Sequence, residues 1–499
     1  MNTIGSSRNP RLAPCLASVL ILVWSMYRAD AAVEGAPEGT ATPEAPVKPS
    51  IGEVLRLIDV GPYHVPPLPL ITNQNYARSS ADVEPFGAVK PFKEHFLTQM
   101  EYTGPGRAIP EPEHVESVKI GFLGPIMPTV SVATGGKSHE EVLGIAMLRG
   151  ARLAIEQANA QGGYHRRKIP FELVVRNDNG LWGASGNEIV SMAYKDHVWA
   201  ILGTIDGANT HIAIRVALKA ELPMMTTGDL DPTYIETNIP WVFRNISDDR
   251  QQNYLLVDYL LRKLDYQRVA IIRSSNRYGR FGVREIRDGS RRLGRPVVIE
   301  MAYRVGETDF TMQLERIRES HPDAVIHWGN AIEGARVLNQ MRAMGLRQPF
   351  LACDRCVSDE FVRLAGANAD GVICTYPWNP TREDPKLEAF RKAFRERWGA
   401  ESDTYAAHAY DGMNLFIWAI QTAGLNRAKI RDVLAHRPDP FPGVTGDIPL
   451  SAVLDDAGEV FLTRHENGQW RYYSRQDWEI PRGRVINTMR VEREQASAP

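Results

Sequence analysis

Short apolar segments alternate with amphipathic segments along most of this chain, and this alternation constrains the fold more than any other feature. Strand-like segments such as 117–125 and 171–176 are followed by apolar residues at three- and four-residue spacing, which is typical of helices. Two successive runs of such β-α units occur. Because strands joined by helices pair in parallel, the sequence predicts an α/β protein with two doubly wound parallel sheets.

Two of these units follow each other between residues 199 and 232. Each has a short apolar strand followed by a loop of small and polar residues, at 204–210 and at 228–232. In open parallel sheets, ligands bind beyond the carboxyl ends of the strands, where helix N-termini direct N–H groups at them. We therefore expect the two loops to form one wall of a small-molecule site.

Composition excludes several classes of function. The chain has 499 residues, so we expect two or three domains. The formal net charge is only −2, and no nucleic-acid module or nucleotide-binding glycine motif is found, so neither nucleic acid nor nucleotide is an expected partner.

The first residues predict export. Basic residues at 8 and 11, an apolar run at 16–24 and an A-x-A pattern at 29–31 indicate a signal peptide over residues 1–31. A membrane anchor is the alternative, but the run is shorter than the roughly 20 residues that a spanning helix needs. We expect a periplasmic or otherwise extracytoplasmic protein.

Proline-rich sequence follows the signal peptide. Residues 32–114 are interpreted as a linker and an extension that either wraps on the main body or binds a partner. The tail at 481–499 is charged and is expected to be loose.

Three cysteines follow residue 31: Cys353, Cys356 and Cys374. An exported protein can form disulfides, so we expect a bridge from Cys353 or Cys356 to Cys374, with a redox-active C-x-x-C pair as the alternative. The sequence places no second pair and no histidine near Cys353 and Cys356, so neither a metal nor a cofactor is expected.

The segment from about 115 to 473 resembles the type I periplasmic binding proteins of the leucine/isoleucine/valine-binding (LivJ-like) group, which are ABC transporter substrate-binding proteins. Several short motifs carry the resemblance through their order and spacing. They are the strand at 119–125, the pattern GA-x-x-A…N-x-x-GG at 150–163, Gly279, Gly371-Val372, Ala409-Tyr410-Asp411 and the segment 443–446.

The resemblance implies two lobes joined by three hinge crossings. The first lobe would contain residues 116–243 and 372–440, and the second lobe residues 244–371 and 441–480. The last crossing would fall in a stretch rich in proline and glycine, where hinge strands can change their backbone angles.

The resemblance also implies ligand contacts. In relatives that bind amino acids, two strand-end loops of the first lobe hold the carboxylate and amino group, and the second lobe contributes an aromatic, a polar and an acidic residue. The matching positions here are Gly207, Ala208, Asn209, Gly228, Asp229, Leu230, Tyr278, Asn330 and Asp354.

Three of these positions depart from the group's pattern. Gly207 replaces a small hydroxyl residue, Leu230 replaces a threonine, and Asp229 adds a negative charge near the expected carboxylate. A ligand carboxylate would be repelled unless Asp229 turns away or pairs with Arg244 or Lys219. The expected ligand is therefore a small polar molecule, either amino-acid-like, an amide or a cation.

The first hypothesis is a monomeric, non-enzymatic solute-binding protein that delivers ligand to an ABC permease in the membrane. A ligand-sensing module with the extension as docking arm is the alternative. An enzyme using the cleft or the cysteine pair is the third possibility. Asp206 and Asp229 would be its carboxylate pair, but we interpret Asp206 as a helix N-cap.

Overall fold

The computed structural model describes residues 99–126, 139–237, 239–456, 458–474 and 477. The predicted signal peptide, residues 32–98 of the predicted extension and the predicted tail lie outside the described residues. Strands and helices alternate through the described chain and form two large sheets, which confirms the predicted α/β fold class. None of the described helices is long and apolar enough to cross a membrane.

The first sheet has five parallel strands. They are β1 Val118–Gly124, β2 Phe171–Asn177, β3 Ala200–Leu202, β4 Met224–Thr226 and β5 Val242–Arg244. Their order is β2-β1-β3-β4-β5. The connecting helices are α1 His139–Ala160, α2 Trp182–Tyr194 and α3 Gly207–Ala220. Every residue of β3 and β4 is buried, as expected for central strands covered on both faces.

The second sheet begins with five more parallel strands. They are β6 Val269–Ser274, β7 Ile299–Tyr303, β8 Ala324–Trp328, β9 Phe350–Ala352 and β10 Ile373–Tyr376. The helices of this region are α4 Asp249–Val257, α5 Arg277–Gly282, α6 Arg284–Arg292, α7 Thr311–Glu319, α8 Ala331–Ala343 and α9 Asp359–Ala365.

The C-terminal part of the chain returns to both sheets. It contains α10 Pro385–Trp398, α11 Thr404–Ala423, α12 Arg427–Ala435, β11 Phe441–Pro442, β12 Asp447–Ile448, β13 Phe461–Glu466 and β14 Gln469–Tyr473. Strands β13 and β14 form an antiparallel hairpin, and the second sheet has the order β14-β13-β10-β9-β8-β6-β7. We call the five-stranded sheet with α1–α3 and α10–α12 the first lobe, and the seven-stranded sheet with α4–α9 the second lobe.

The lobe boundary predicted at residue 372 assigns β10 to the wrong sheet. Cys374 of β10 is in register with Ala352 of β9 on one side and with Thr463 of β13 on the other, so the strand belongs to the second lobe. Conversely, Ile448 and Leu454 were expected in the second lobe but pack in the core of the first. The chain therefore changes lobes later than predicted at both places.

Residues 99–113, which we call the N-terminal strap, lie on the first lobe. The backbone N–H of Met100 donates to the carbonyl of Ala452 at 2.8 Å. The ring of Tyr102 packs edge-on against Trp241, with centroids 4.7 Å apart. This end of the predicted extension therefore wraps on the main body.

Helix α11 packs unusually close to α1. A Cβ atom at Gly150 of α1 would lie 2.0 Å from the carbonyl oxygen of Ala406 and 3.1 Å from the backbone nitrogen of Tyr410. Only glycine permits this backbone-to-backbone approach. The contact joins an early helix to a late one within the first lobe.

Candidate functional site

The two loops expected to form a wall of the site lie at the carboxyl ends of β3 and β4. In the first loop, Asp206 occupies the residue before α3 with extended backbone angles, but its carboxylate makes no capping hydrogen bond. The carboxylate Oδ1 instead accepts from Nη2 of Arg355, a second-lobe residue, at 3.2 Å. Asp206 thus has the predicted N-cap position without the predicted capping contact.

The second loop makes a matching contact. Asp231 Oδ2 accepts from Arg277 Nε at 2.6 Å, and Arg277 Nη2 donates to Thr233 Oγ1 at 2.8 Å. Arg277 is the first residue of α5 in the second lobe. Each loop is therefore bonded to one arginine of the opposite lobe. We call the pairs Arg355–Asp206 and Arg277–Asp231 the interlobe bridges.

Asp354 adds a third contact between the lobes. Its Oδ1 accepts from the hydroxyl of Tyr278 at 2.8 Å, and its Oδ2 accepts from the hydroxyl of Tyr405 at 2.5 Å. Tyr278 is in the second lobe, whereas Tyr405 is on α11 of the first lobe. Both carboxylate oxygens of this buried residue are therefore hydrogen-bonded.

Arg355 occupies the centre of the site. Its side chain is fully buried, its guanidinium lies 3.7 Å from the centroid of the Tyr278 ring, and Nη1 donates to Asn330 Oδ1 at 3.0 Å. A guanidinium over an aromatic face gains cation–π attraction, more so when it is desolvated. Stacking on Tyr278 and the hydrogen bond to Asn330 thus hold the guanidinium from its own lobe, while Nη2 contacts Asp206 of the other lobe.

The predicted residues of the second lobe are brought together. Tyr278, Asn330 and Asp354 all contact Arg355 or one another. Leu230 of the first lobe is buried and packs into the hydrophobic core of the second lobe. Its side chain is therefore part of the contact between lobes.

The side-chain amide of Asn209, in the first loop, bonds to another residue of the first lobe. Asn209 is buried, and its Nδ2 donates to Asp178 Oδ2 at 2.9 Å. Burial raises the pKa of Asp178, although hydrogen bonds from Gly180, Asn209 and Ser185 oppose the shift. The side chain of Asn209 therefore supports the base of the loop. Its neighbour Ala208 is half-buried in the first turn of α3.

The two predicted glycines are required by close packing. A Cβ at Gly207 would lie 2.2 Å from Oδ2 of Asp231, and a Cβ at Gly228 would lie 2.7 Å from Sδ of Met147. Gly207 thus allows the two loops to approach each other. This is the physical reason for a glycine where the family pattern suggested a hydroxyl residue.

Asp229 avoids the expected charge conflict through its protonation state. Burial, reinforced by the charge of Asp231, raises the pKa of Asp229 to about 8. Its Oδ1 accepts from the backbone N–H of Asp231 at 2.9 Å. Arg244, one of the two partners expected from the sequence, instead forms an ion pair with Asp455 at 2.6 Å. At neutral pH the Asp229 carboxyl is mostly uncharged.

Sequence reasoning missed three residues that shape the site: Arg277, Arg355 and Tyr405. Arg277 precedes the predicted Tyr278, and Arg355 lies inside the C-x-x-C segment. No spacing pattern distinguishes these arginines from solvated ones, because their burial depends on how the lobes meet. The signal available in the sequence is that Arg277 directly precedes the predicted Tyr278 and that Arg355 directly follows the predicted Asp354.

The predicted disulfide to Cys374 is wrong. Cys353, Cys356 and Cys374 are buried free cysteines. Cys374 lies on β10, while the Sγ of Cys353 is directed at the carbonyl oxygen of Gly329, 3.0 Å away.

A cavity of about 570 Å³ lies beside the last crossing between the lobes. Its lining includes Arg382, His408 and Asp456. None of the nine predicted ligand residues lines it, so it is distinct from the cleft spanned by the interlobe bridges.

Two α/β lobes that meet at the loops after their strands, where the interlobe bridges join them, define a two-lobed binding protein. A family model described as Periplasmic binding protein matches residues 117–455. The chain belongs to this family, as the sequence motifs predicted, and the family consists of extracytoplasmic solute-binding proteins.

Similar proteins agree with this assignment. The chain is 24% identical over 363 residues to Leu/Ile/Val-binding protein homolog 2 of Brucella abortus (strain 2308), covering 69% of this chain and 96% of that protein. The substrate-binding protein LivJ of Streptococcus pneumoniae, solved with isoleucine, matches with a TM-score of 0.64 and 23% identity over 72% of this chain and 99% of that chain. A solute-binding protein of R. palustris, solved with benzoate, matches with a TM-score of 0.63 and 16% identity, over 72% and 96%. Both structures share the fold.

Proposed function

We propose that this protein is the extracytoplasmic solute-binding component of an ABC-type uptake system, and that its lobes close on a small polar ligand. An ABC permease in the membrane is the partner. The protein acts as a monomer and catalyses no reaction. Family membership and the names of its relatives support this proposal.

The interlobe bridges are the observation that carries the proposal. Arg355 and Arg277 reach from the second lobe to the two strand-end loops of the first lobe, at 3.2 Å and 2.6 Å. Contacts that exist only when the lobes are closed favour the closed state. A ligand that binds better to that state shifts the population toward it.

The chemistry of the site favours a ligand with a carboxylate. Arg355 presents a planar guanidinium that can bind a carboxylate through two parallel hydrogen bonds. The side chain of its present partner Asp206 is 23% exposed, so a ligand can replace it. The neutral carboxyl of Asp229 adds little repulsion. The relatives' names and solved complexes mention leucine, isoleucine, valine and benzoate, so amino acids are the first candidates.

A thermal-unfolding screen tests the proposal. The panel contains amino acids, amides, aromatic acids and polyamines. A ligand present at a hundred times its Kd stabilises the folded chain by about 2.7 kcal/mol. Arg355→Gln should then weaken binding of a carboxylate ligand by about 100-fold, because a buried charge pair would be lost.

Arg397→Gln is the matched control. Arg397 forms an exposed ion pair with Glu156 at 3.0 Å on the first lobe, and its replacement should leave affinity unchanged. The proposal is overturned if no ligand of the panel stabilises the protein. The role of Arg355 is overturned if Arg355→Gln binds carboxylates like the parent chain. A ligand that binds without permease-dependent uptake would favour the sensing alternative.

A further inference from the structure

A cluster of potential metal ligands lies in the second lobe, outside the residues proposed to hold the ligand. Cys353 and Cys356 bound a single 3-10 turn that follows β9. His327 lies on the adjacent strand β8. One ligand atom from each of the three residues lies within 4.8 Å of the others. All three residues are completely buried. The fold thus supplies the histidine that the sequence did not place near the cysteine pair.

The histidine is oriented as a ligand. Its Nδ1 lies 3.7 Å from Sγ of Cys356, and its Nε2 lies 2.8 Å from the hydroxyl of Tyr303. In the tautomer that donates Nε2–H to Tyr303, the lone pair of Nδ1 faces the sulfur. Histidines that bind metals are commonly held in this way by a partner on the second nitrogen.

Glycines let the surrounding backbone approach the cluster. A Cβ at Gly334 of α8 would lie 2.9 Å from both Sγ of Cys356 and Cε1 of His327. The carbonyl oxygen of Gly329 lies 3.0 Å from Sγ of Cys353. The backbone of α8 thereby closes one side of the cluster.

We propose that Cys353, Cys356 and His327 bind a soft, closed-shell metal ion, Zn²⁺ or Cu⁺, through two thiolates and the imidazole Nδ1. Thiolate and imidazole ligands select these ions. Zinc–sulfur bonds are about 2.3 Å long and zinc–nitrogen bonds about 2.0 Å. Bonds of these lengths place a sulfur and a nitrogen ligand at a separation similar to the 3.7 Å between Sγ of Cys356 and Nδ1 of His327. Two thiol protons leave for solvent when the ion binds.

Zn²⁺ and Cu⁺ differ in the net charge of the complex and in the number of ligands that they require. Zn²⁺ with two thiolates and a neutral imidazole carries no net charge, which suits a fully buried cluster. Cu⁺ is satisfied by three ligands, whereas zinc normally takes four. The proposal replaces the sequence expectation of no metal, and it is independent of the proposed transport function.

Metal titration of the full chain, purified anaerobically without added metal, tests the site. Zn²⁺ and Cu⁺ are added separately in competition with a chromogenic chelator of each ion. We expect one ion per chain and ultraviolet absorption from thiolate-to-metal charge transfer. Cys356→Ser and His327→Gln should weaken binding at least 100-fold, and Tyr303→Phe about 10-fold because it removes the partner of the second nitrogen.

Cys374→Ser is the matched control, because Cys374 is also buried and free but lies on β10 outside the cluster. It should bind metal like the parent chain. Co²⁺ substitution in the parent chain reports sulfur coordination from its visible spectrum even if a variant fails to fold. The proposal is overturned by three results: no stoichiometric binding of either ion, equal loss in Cys374→Ser and Cys356→Ser, or a Cys353–Cys356 disulfide in the purified chain.

Discussion

Asp229 keeps a buried carboxyl group in the loop after β4 at a free-energy cost that depends on pH. Its pKa is raised from 3.8 to about 8, first by burial and then by the charge of Asp231. The folded chain therefore retains this proton at pH values where an unfolded aspartate has lost it. Because the unfolded state binds fewer protons between about pH 4 and pH 8, the free energy of unfolding contributed by this group falls as pH rises through that range.

Asp229→Asn should remove this pH-dependent cost. We expect a gain in the free energy of unfolding of about 5 kcal/mol at pH 7.5 and about 1 kcal/mol at pH 4.5, the values that a pKa shift from 3.8 to about 8 implies. Urea unfolding at the two pH values measures it. Glu396→Gln, at an exposed side chain, is the control and should change stability at neither pH. An equal effect of Asp229→Asn at both values would contradict the shifted pKa.

The contacts of single residues could be predicted only where the family pattern named both partners. Tyr278 and Asp354 were both predicted, and their side chains are joined at 2.8 Å. Arg355 was not, because a guanidinium is normally solvated and its complete burial here depends on aromatic stacking and on a carboxylate from the other lobe. Asn209 is predicted as a ligand contact, but its amide donates to Asp178 in the loop after β2.

The crossing of α1 and α11 depends on one glycine. Gly150→Ala would put a Cβ 2.0 Å from the carbonyl oxygen of Ala406, and backbone cannot move as easily as a side chain. We expect the free energy of unfolding to fall by about 1–3 kcal/mol, the usual cost of overpacking. Urea unfolding at pH 7 measures the change.

Gly183→Ala is the matched control for this crossing. Gly183 lies in α2, and no atom lies within 4 Å of the place that a Cβ would take there. Alanine at this position should raise stability by about 0.5–1 kcal/mol, because helical glycine costs conformational entropy. Equal effects of the two substitutions would show that α1 and α11 do not meet as closely as the structure indicates.

Local patterns predicted elements well and sheet membership less well. Asn467 and Gly468 are a residue pair typical of two-residue hairpin turns, and both have positive φ, 52° and 80°, between β13 and β14, as such hairpins require. The lobe boundaries predicted from the resemblance place β10 in the first lobe, whereas it belongs to the sheet of the second. Its sheet is decided by pairing with β9 and β13, which no local pattern contains.

The N-terminal strap contributes to the stability of the first lobe. A chain that begins at residue 114 loses the buried side chains of Met100 and Tyr102 and exposes Trp241. Burying an apolar side chain of this size contributes roughly 1.5–3 kcal/mol, so we expect a fall of about 3 kcal/mol in the free energy of unfolding. Urea unfolding of the shortened chain measures the change.

A chain that begins at residue 99 is the comparison for this deletion, since it keeps the strap. Arg107→Ala separates packing from charge. Arg107 forms a 2.5 Å ion pair with Asp432 in which its side chain is 40% exposed, so its loss should cost less than about 1 kcal/mol. Equal stability of the chains beginning at 99 and at 114 would contradict the structural role of the strap.

The position of the strap also determines which lobe would move. Its contacts with Ala452, Trp241 and Asp432 are all made to the first lobe, so the strap is held to that lobe. An attachment made through the strap would hold the first lobe stationary and leave any movement to the second lobe. Ligand binding would then move the second lobe and leave the point of attachment where it is.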